Sequence, residues 1–97
     1  MPEVSFHPGA TADYFSAYDW YSERSAESAA AFERAFDTAL REISDAPTRW
    51  HIIDERHRMH LLKRFPYQIV YRVLDETIVV IAVAHARRRA KYWAERN

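Results

Sequence analysis

The chain contains no cysteine and a single glycine, Gly9. Without cysteine there is no disulfide, no thiolate metal ligand and no thiol nucleophile, which fits a reducing compartment. One glycine cannot build a phosphate-cradling loop, so P-loop and dinucleotide fingerprints are excluded. Long apolar runs are missing as well. The longest, Ile78 to Ala84, falls far short of the about 20 residues that a spanning helix needs. The opening Met1-Pro2-Glu3-Val4 has no positively charged segment ahead of an apolar one, so no secretion signal is read there. The expected location is the cytoplasm. Net charge is also lacking: 14 Lys and Arg balance 14 Asp and Glu.

What is present is enough for one core. The 97 residues are 48% hydrophobic and 14% aromatic, which predicts a single packed domain over 1–97. The neutral total hides an asymmetry. Residues 1–49 carry four arginines against nine acids, a charge of −5; residues 50–97 carry ten Lys or Arg against five acids, a charge of +5. Four of the five histidines also fall in the second half. Such segregation points to a basic functional face on the C-terminal portion, or to a simple split between helices first and strands later.

Hydrophobic periodicity sets the expected elements. Glu3 to His7 alternates and is stopped by Pro8-Gly9, the pattern of a short strand. From Thr11 to Arg24, Tyr14, Phe15, Tyr18 and Tyr21 recur at helical spacing and predict an amphipathic helix with one aromatic face. A second helix carries the stripe Ala29, Phe32, Phe36, Leu40 and Ile43, with Glu27 in its first turn and Pro47 closing it. The two form a helical hairpin. Arg49 to Glu55 reads as an irregular connection anchored by Trp50, Ile52 and Ile53, and Arg58 to Arg64 as a strand. Phe65 to Leu74 alternates, with Phe65, Tyr67, Ile69, Tyr71 and Val73 on one face. After Asp75-Glu76, Thr77 to His85 is an almost unbroken apolar strand, as expected of one covered on both faces. The tail from Arg87 to Asn97 is basic, contains Tyr92-Trp93, and is expected to fold back as a short helix or turn. The class is α+β, in β-α-α-β-β-β order: an antiparallel sheet with the N-terminal hairpin packed on one face.

Chemistry-bearing residues are few. His57 and His60 lie three apart on a strand, so they point to opposite faces and cannot share an ion; no metal site and no cofactor are expected. The serines of the helical half have no histidine in context, so a nucleophilic triad is unsupported. In the tail, Arg87, Arg88, Arg89 and Lys91 stand beside Tyr92 and Trp93, a mixture of cations and rings that single-stranded nucleic acids use. The same tail suits contact with an acidic protein segment. It suits equally a solvated terminus with Trp93 tucked against the core.

The ordered series Asp19-Trp20-Tyr21, Phe32, Pro47, Arg64-Phe65-Pro66-Tyr67, Tyr71, the apolar strand ending at His85, Arg87-Arg88 and Tyr92-Trp93 resembles the RelE/ParE toxin superfamily, in its ParE branch. The likeness covers nearly the whole chain. One departure is Ala90-Lys91, where the family commonly has proline just before the Tyr-Trp pair. The resemblance implies a growth-arresting toxin held in check by a cognate antitoxin. ParE-type members are associated with poisoning DNA gyrase and RelE-type members with cleaving messenger RNA on the ribosome; fold alone does not choose. A degenerate toxin that keeps only antitoxin binding is a third expectation. The nuclease alternative draws on Arg58, Arg64, His85 and Arg88 but lacks a convincing acid–base pair. The candidate target-binding patch is Arg58, Lys63, Arg64, Arg87, Arg88, Arg89, Lys91, Tyr92 and Trp93. Phe15, Tyr18, Arg64, Tyr67 and Tyr71 are the candidate antitoxin contacts, although the aromatic helix face also reads as plain core. No membrane partner is expected.

Overall fold

A computed structural model describes residues 2–97; Met1, the start of the segment read above for a secretion signal, lies outside the described residues. The elements run β1 (Glu3–Phe6), α1 (Pro8–Ser22), α2 (Ala26–Asp45), β2 (His51–Ile52), β3 (Arg58–Leu61), β4 (Tyr67–Leu74) and β5 (Thr77–His85). The α+β class, the hairpin and the strand order match the expectation. The sheet has five strands in the order β1-β5-β4-β3-β2. Its β2 to β5 part is antiparallel as expected, while β1 joins β5 in parallel, Glu3 opposite Thr77 and Phe6 opposite Val80, which makes the sheet mixed.

Several boundaries differ from the sequence reading. Pro8-Gly9 does not stop a strand before a gap; it forms the first turn of α1. Pro8 needs no amide donor there, and the Nδ1 of His7 accepts from the Gly9 amide at 2.9 Å as the cap. The aromatic face of α1 is also narrower than expected. Tyr14, Tyr18 and Tyr21 pack against the core, but Phe15 points outward and is 55% exposed. The residues α1 buries most are small, Ala10 and Ala17, so the helix lies close on β5. The expected irregular connection holds a two-residue strand, β2, paired to β3. The strand read as Arg58 to Arg64 ends at Leu61, because Lys63-Arg64 turns the chain with Arg64 at φ 70°. Similarly β4 starts at Tyr67, since Pro66 has no amide to give the ladder; its carbonyl instead accepts from Ala86.

α2 follows its pattern closely. Ser25 Oγ accepts from the Ser28 amide at 2.9 Å, and Phe32, Phe36 and Ile43 are buried. Beneath the hairpin lie Ile69, Tyr71, Ile78, Val80 and Val83. The Tyr71 hydroxyl donates to the Pro47 carbonyl at 2.6 Å, tying β4 to the end of α2. Along β5 the pairing slips between Val70/Ala82 and Tyr71/Val80, a bulge at Ile81 that puts Ile81 and Ala82 on the same outer face. There Val70, Ile81, Ala82 and Ala84 meet Trp93, which the returning tail lays over them. The unbroken apolarity of β5 is thus explained: helices cover one face and the tail the other.

Candidate functional site: a cleft at the end of the sheet

The geometry of the site starts from one buried carboxylate. Asp13 sits on the inner stripe of α1 and is 8% exposed. Its Oδ2 accepts from the Val83 amide at 3.1 Å, the Tyr92 hydroxyl at 2.9 Å and Arg96 Nη1 at 2.8 Å. Arg96 Nη1 also donates to the Ile81 carbonyl at 3.1 Å. Burial, and then the Asp13 carboxylate beside it, pushes the Tyr92 phenol well up, so its hydroxyl stays a donor. The guanidinium of Arg96 crosses the start of α1 over Gly9, where an added Cβ would meet it at 2.5 Å. The single glycine of the sequence thus stands where the Arg96 side chain crosses the backbone of α1.

Above Asp13 opens a cleft of about 450 Å³ between the second half of α1 and the ends of β4 and β5. Trp20, Tyr21 and Tyr67 form its aromatic wall, with His85 and Arg88 among its polar residues. The Tyr67 and His85 rings meet edge-on at 4.9 Å across the first register pair of the hairpin. His85 Nδ1 accepts from the Arg87 amide at 2.9 Å, so in the neutral ring Nε2 carries the proton. Arg88 stacks on the Tyr92 ring at 3.7 Å, and its Nη1 lies 3.5 Å from Asp13 Oδ1.

The candidate residues separate into groups. Lys63, Arg64 and Arg87 to Arg89 are exposed, in loops that flank the Tyr67/His85 pair at one end of the sheet. Arg58 is not among them. It pairs with Tyr71, four residues along β4 and so roughly 13 Å away, and donates to the Trp50 carbonyl under α2. The four nuclease candidates Arg58, Arg64, His85 and Arg88 are therefore not gathered at one point. Trp93 and Tyr92 also leave the surface patch: Trp93 is 3% exposed, and the Tyr92 hydroxyl points inward to Asp13. Tyr71, a candidate antitoxin contact, is fully buried and offers no surface. Phe15 is exposed, and Tyr18 and Tyr67 are half-buried.

His57 and His60 do face opposite sides of the sheet. His60 Nε2 pairs with Glu42 Oε1 at 2.8 Å while its ring stacks on Trp50 at 3.7 Å; that hydrogen bond holds the Glu42 carboxyl below its ordinary range. His57 packs on Trp93 and bonds Asp54 Oδ1 at 2.9 Å. Lys91 reaches the other Asp54 oxygen at 3.4 Å. The backbone amide of Arg56, followed by the His57 ring, holds Asp54 well below the usual carboxylate range. Among the described residues no group of three or more His, Asp or Glu could hold a metal ion. Lys91 takes φ 56°, which proline cannot adopt, so a proline at this position does not fit this turn into Tyr92-Trp93.

Sequence reasoning missed Asp13, Arg96, Trp20 and Tyr21 as site residues. The signal for Asp13 was available: it lies three residues after Ala10 and four before Ala17, on the buried stripe of α1.

Arg64 gives a direct test. A non-glycine residue in the left-handed region costs about 1–2 kcal/mol, against about 0.5–1 kcal/mol for the extra unfolded-state freedom of glycine. Arg64→Gly is expected to raise stability by about 0.5–1 kcal/mol in urea denaturation. An unchanged or lowered midpoint would show that the Arg64 side chain makes contacts that offset its backbone strain.

A helical hairpin laid on one face of a sheet, with a basic turn and tail around one end of it, is the architecture expected of the RelE/ParE toxins. The family model described as "ParE toxin of type II toxin-antitoxin system, parDE" matches residues 4–90, and the chain belongs to that family. Toxin ParE2 of Mycobacterium tuberculosis, from strains CDC 1551 / Oshkosh and ATCC 25618 / H37Rv, is 29% identical over 80 residues, covering 81% of this chain and 76% of the relative. A solved structure described as "Chromosomal ParDE TA system from P. aeruginosa" superposes with a TM-score of 0.77 at 18% identity, over 90% of this chain and 98% of the other, a likeness of fold. Among the described residues no helix is long and apolar enough to cross a membrane.

Proposed function

We propose that this ParE-type toxin is neutralised by a cognate antitoxin and, when free, stops growth by inhibiting DNA gyrase through its basic sheet end. The observation that carries the choice of gyrase over messenger RNA is the state of the cleft carboxylate. Asp13 is the only carboxylate lining that cleft, and its oxygens already serve a backbone amide, a phenol and a guanidinium. A base for the 2′-hydroxyl and an acid for the leaving oxygen must both be free to move a proton. Here the carboxylate is saturated, Tyr92 is turned inward, and Arg58 lies far along the sheet. The cations that remain suit recognition of a protein surface.

The antitoxin reading draws support from uncovered apolar surface. Phe6 and Phe15 are 41% and 55% exposed and border a groove with Tyr14 and Phe36; Ile52 and Leu61 are both 60% exposed at the opposite edge. A domain this small with so much exposed apolar area suits a partner that covers it. The chain alone is expected to aggregate, and its complex with the antitoxin to stay in solution.

Induction of the chain alone, followed by growth, DNA synthesis and protein synthesis, tests the proposal together with a gyrase supercoiling assay on purified toxin. The expected result is an early stop in DNA synthesis, loss of supercoiling, and rescue by the product of the adjoining antitoxin frame. Transcript cleavage with supercoiling intact would move the assignment to the ribosome-dependent endonuclease. No growth effect, with antitoxin binding retained, would mark a degenerate toxin.

A further inference from the structure

The cleft holds more positive charge than its carboxylate needs. Arg96 meets Asp13 at 2.8 Å with its side chain 20% exposed, whereas Arg88 stays 3.5 Å away with its side chain 53% exposed. One carboxylate thus faces two guanidiniums, and Arg88 is the one left in surplus. Its guanidinium is not floppy, because the Tyr92 ring supports it at 3.7 Å, and Tyr92 is itself fixed by Asp13. A planar, pre-oriented guanidinium is the group best matched to a carboxylate. His85, which also lines the cleft, has its Nδ1 engaged by the Arg87 amide and keeps Nε2–H as a second donor. Trp20, Tyr21 and Tyr67 give the wall its aromatic part, and the cleft, open to solvent, has a volume of about 450 Å³.

We infer that this cleft is a carboxylate site that receives an acidic side chain and the apolar side chain next to it, both from one segment of the antitoxin. The inference rests on the antitoxin reading above for the source of the segment, and on the cleft alone for its chemistry. Charge complementarity selects a single carboxylate: one surplus guanidinium matches one negative charge, and Asp13 beneath it repels a second. A nucleic-acid strand requires several cations tracking its phosphates, and Arg87 and Arg89 do not line the cleft. Trp20, Tyr21 and Tyr67 supply the surface for the apolar neighbour. When the segment binds, its carboxylate takes Arg88 from its long contact with Asp13, whose own charge stays matched by Arg96.

The test uses the full chain, labelled with nitrogen-15 and kept dilute enough to give a monomer peak on gel filtration, and two blocked tripeptides, acetyl-Phe-Glu-Leu-amide and acetyl-Phe-Gln-Leu-amide, with AMP as a third probe. The glutamate peptide is expected to shift the Trp20 indole and Arg88 side-chain resonances, and the glutamine peptide to bind at least about 10-fold more weakly, the factor that about 1.4 kcal/mol sets. R88A is expected to abolish the difference between the peptides and R88K to keep part of it, both with unchanged circular dichroism. Equal binding of the two peptides, shifts confined to the Phe6/Phe15 groove, or no shift at all would overturn the inference. AMP binding more tightly at the same resonances would make the cleft a nucleotide site and overturn it too. Titration with the cognate antitoxin separates the two readings. If wild type and R88A bind it equally well, the inference fails while the antitoxin reading stands. If antitoxin does not bind wild type, that reading fails, and the peptides still decide what the cleft accepts.

Discussion

Replacing Asp13 with alanine is expected to remove about 3–5 kcal/mol of folding free energy, the cost of leaving a buried charge without its partner. The substitution takes an acceptor from the Val83 amide, the Tyr92 hydroxyl and the Arg96 guanidinium at once, and leaves Arg96 only the Ile81 carbonyl. Each is held where water replaces the lost acceptor poorly, so the loss is more than that of one hydrogen bond, about 1 kcal/mol. A domain of this size has about 5–15 kcal/mol in total, so D13A removes between about a fifth and all of it. Urea denaturation followed by tryptophan fluorescence measures it. A loss below about 1 kcal/mol would mean that Arg96 and Tyr92 find other partners and that Asp13 does not hold the tail. The double variant D13A/R96A should recover part of the loss, since it removes the uncompensated cation as well.

Trp93→Ala is expected to cost about 3–5 kcal/mol, because the ring is buried and its removal leaves a cavity. The ring closes the outer face of β4 and β5 and packs on His57 at 4.7 Å. For about 100 residues each kcal/mol moves the melting temperature by roughly 4–8 °C, so a drop of well over 10 °C should be seen by calorimetry. This separates two roles for the same residue. A ring that stacked on a target from the surface would be lost with little change in stability and a large change in toxicity. A ring that seals the core, as the 3% exposure indicates, affects stability first.

The contrast between these residues shows what the sequence makes legible. α2, β4 and β5 are written locally: Phe32, Phe36 and Ile43 repeat at helical spacing, and Thr77 to His85 is apolar throughout. The bounds of β5 can be read to the residue, while β4 starts at Tyr67, two residues later than its alternation suggests. Pro8-Gly9 misled because proline is as much at home in the first turn of a helix as after a strand, and only the cap from His7 decides between them. The parallel partner of β1 could not be read at all, since Glu3–Phe6 carries no mark of the strand it will meet. At the site, the basic residues around His85 were visible as a run. Which of them face the cleft depends on the tail folding back, a contact between Asp13 and Arg96 across 83 positions. Arg58 was placed with the others by charge, and the register of β3 on β4 removed it.

The parallel pairing of β1 with β5 has a consequence in time. Glu3 meets Thr77, 74 positions later, and synthesis at about 5–20 residues per second separates them by roughly 4–15 s. Once Asp45 is made, the helical hairpin has Phe32, Phe36 and Ile43 uncovered and no completed sheet to lie on until β4 and β5 follow. The cleft, built from both the first helix and the final strand, does not yet exist. A polypeptide whose first helix and final strand must both be made before this corner can form has its cleft only when synthesis is nearly complete.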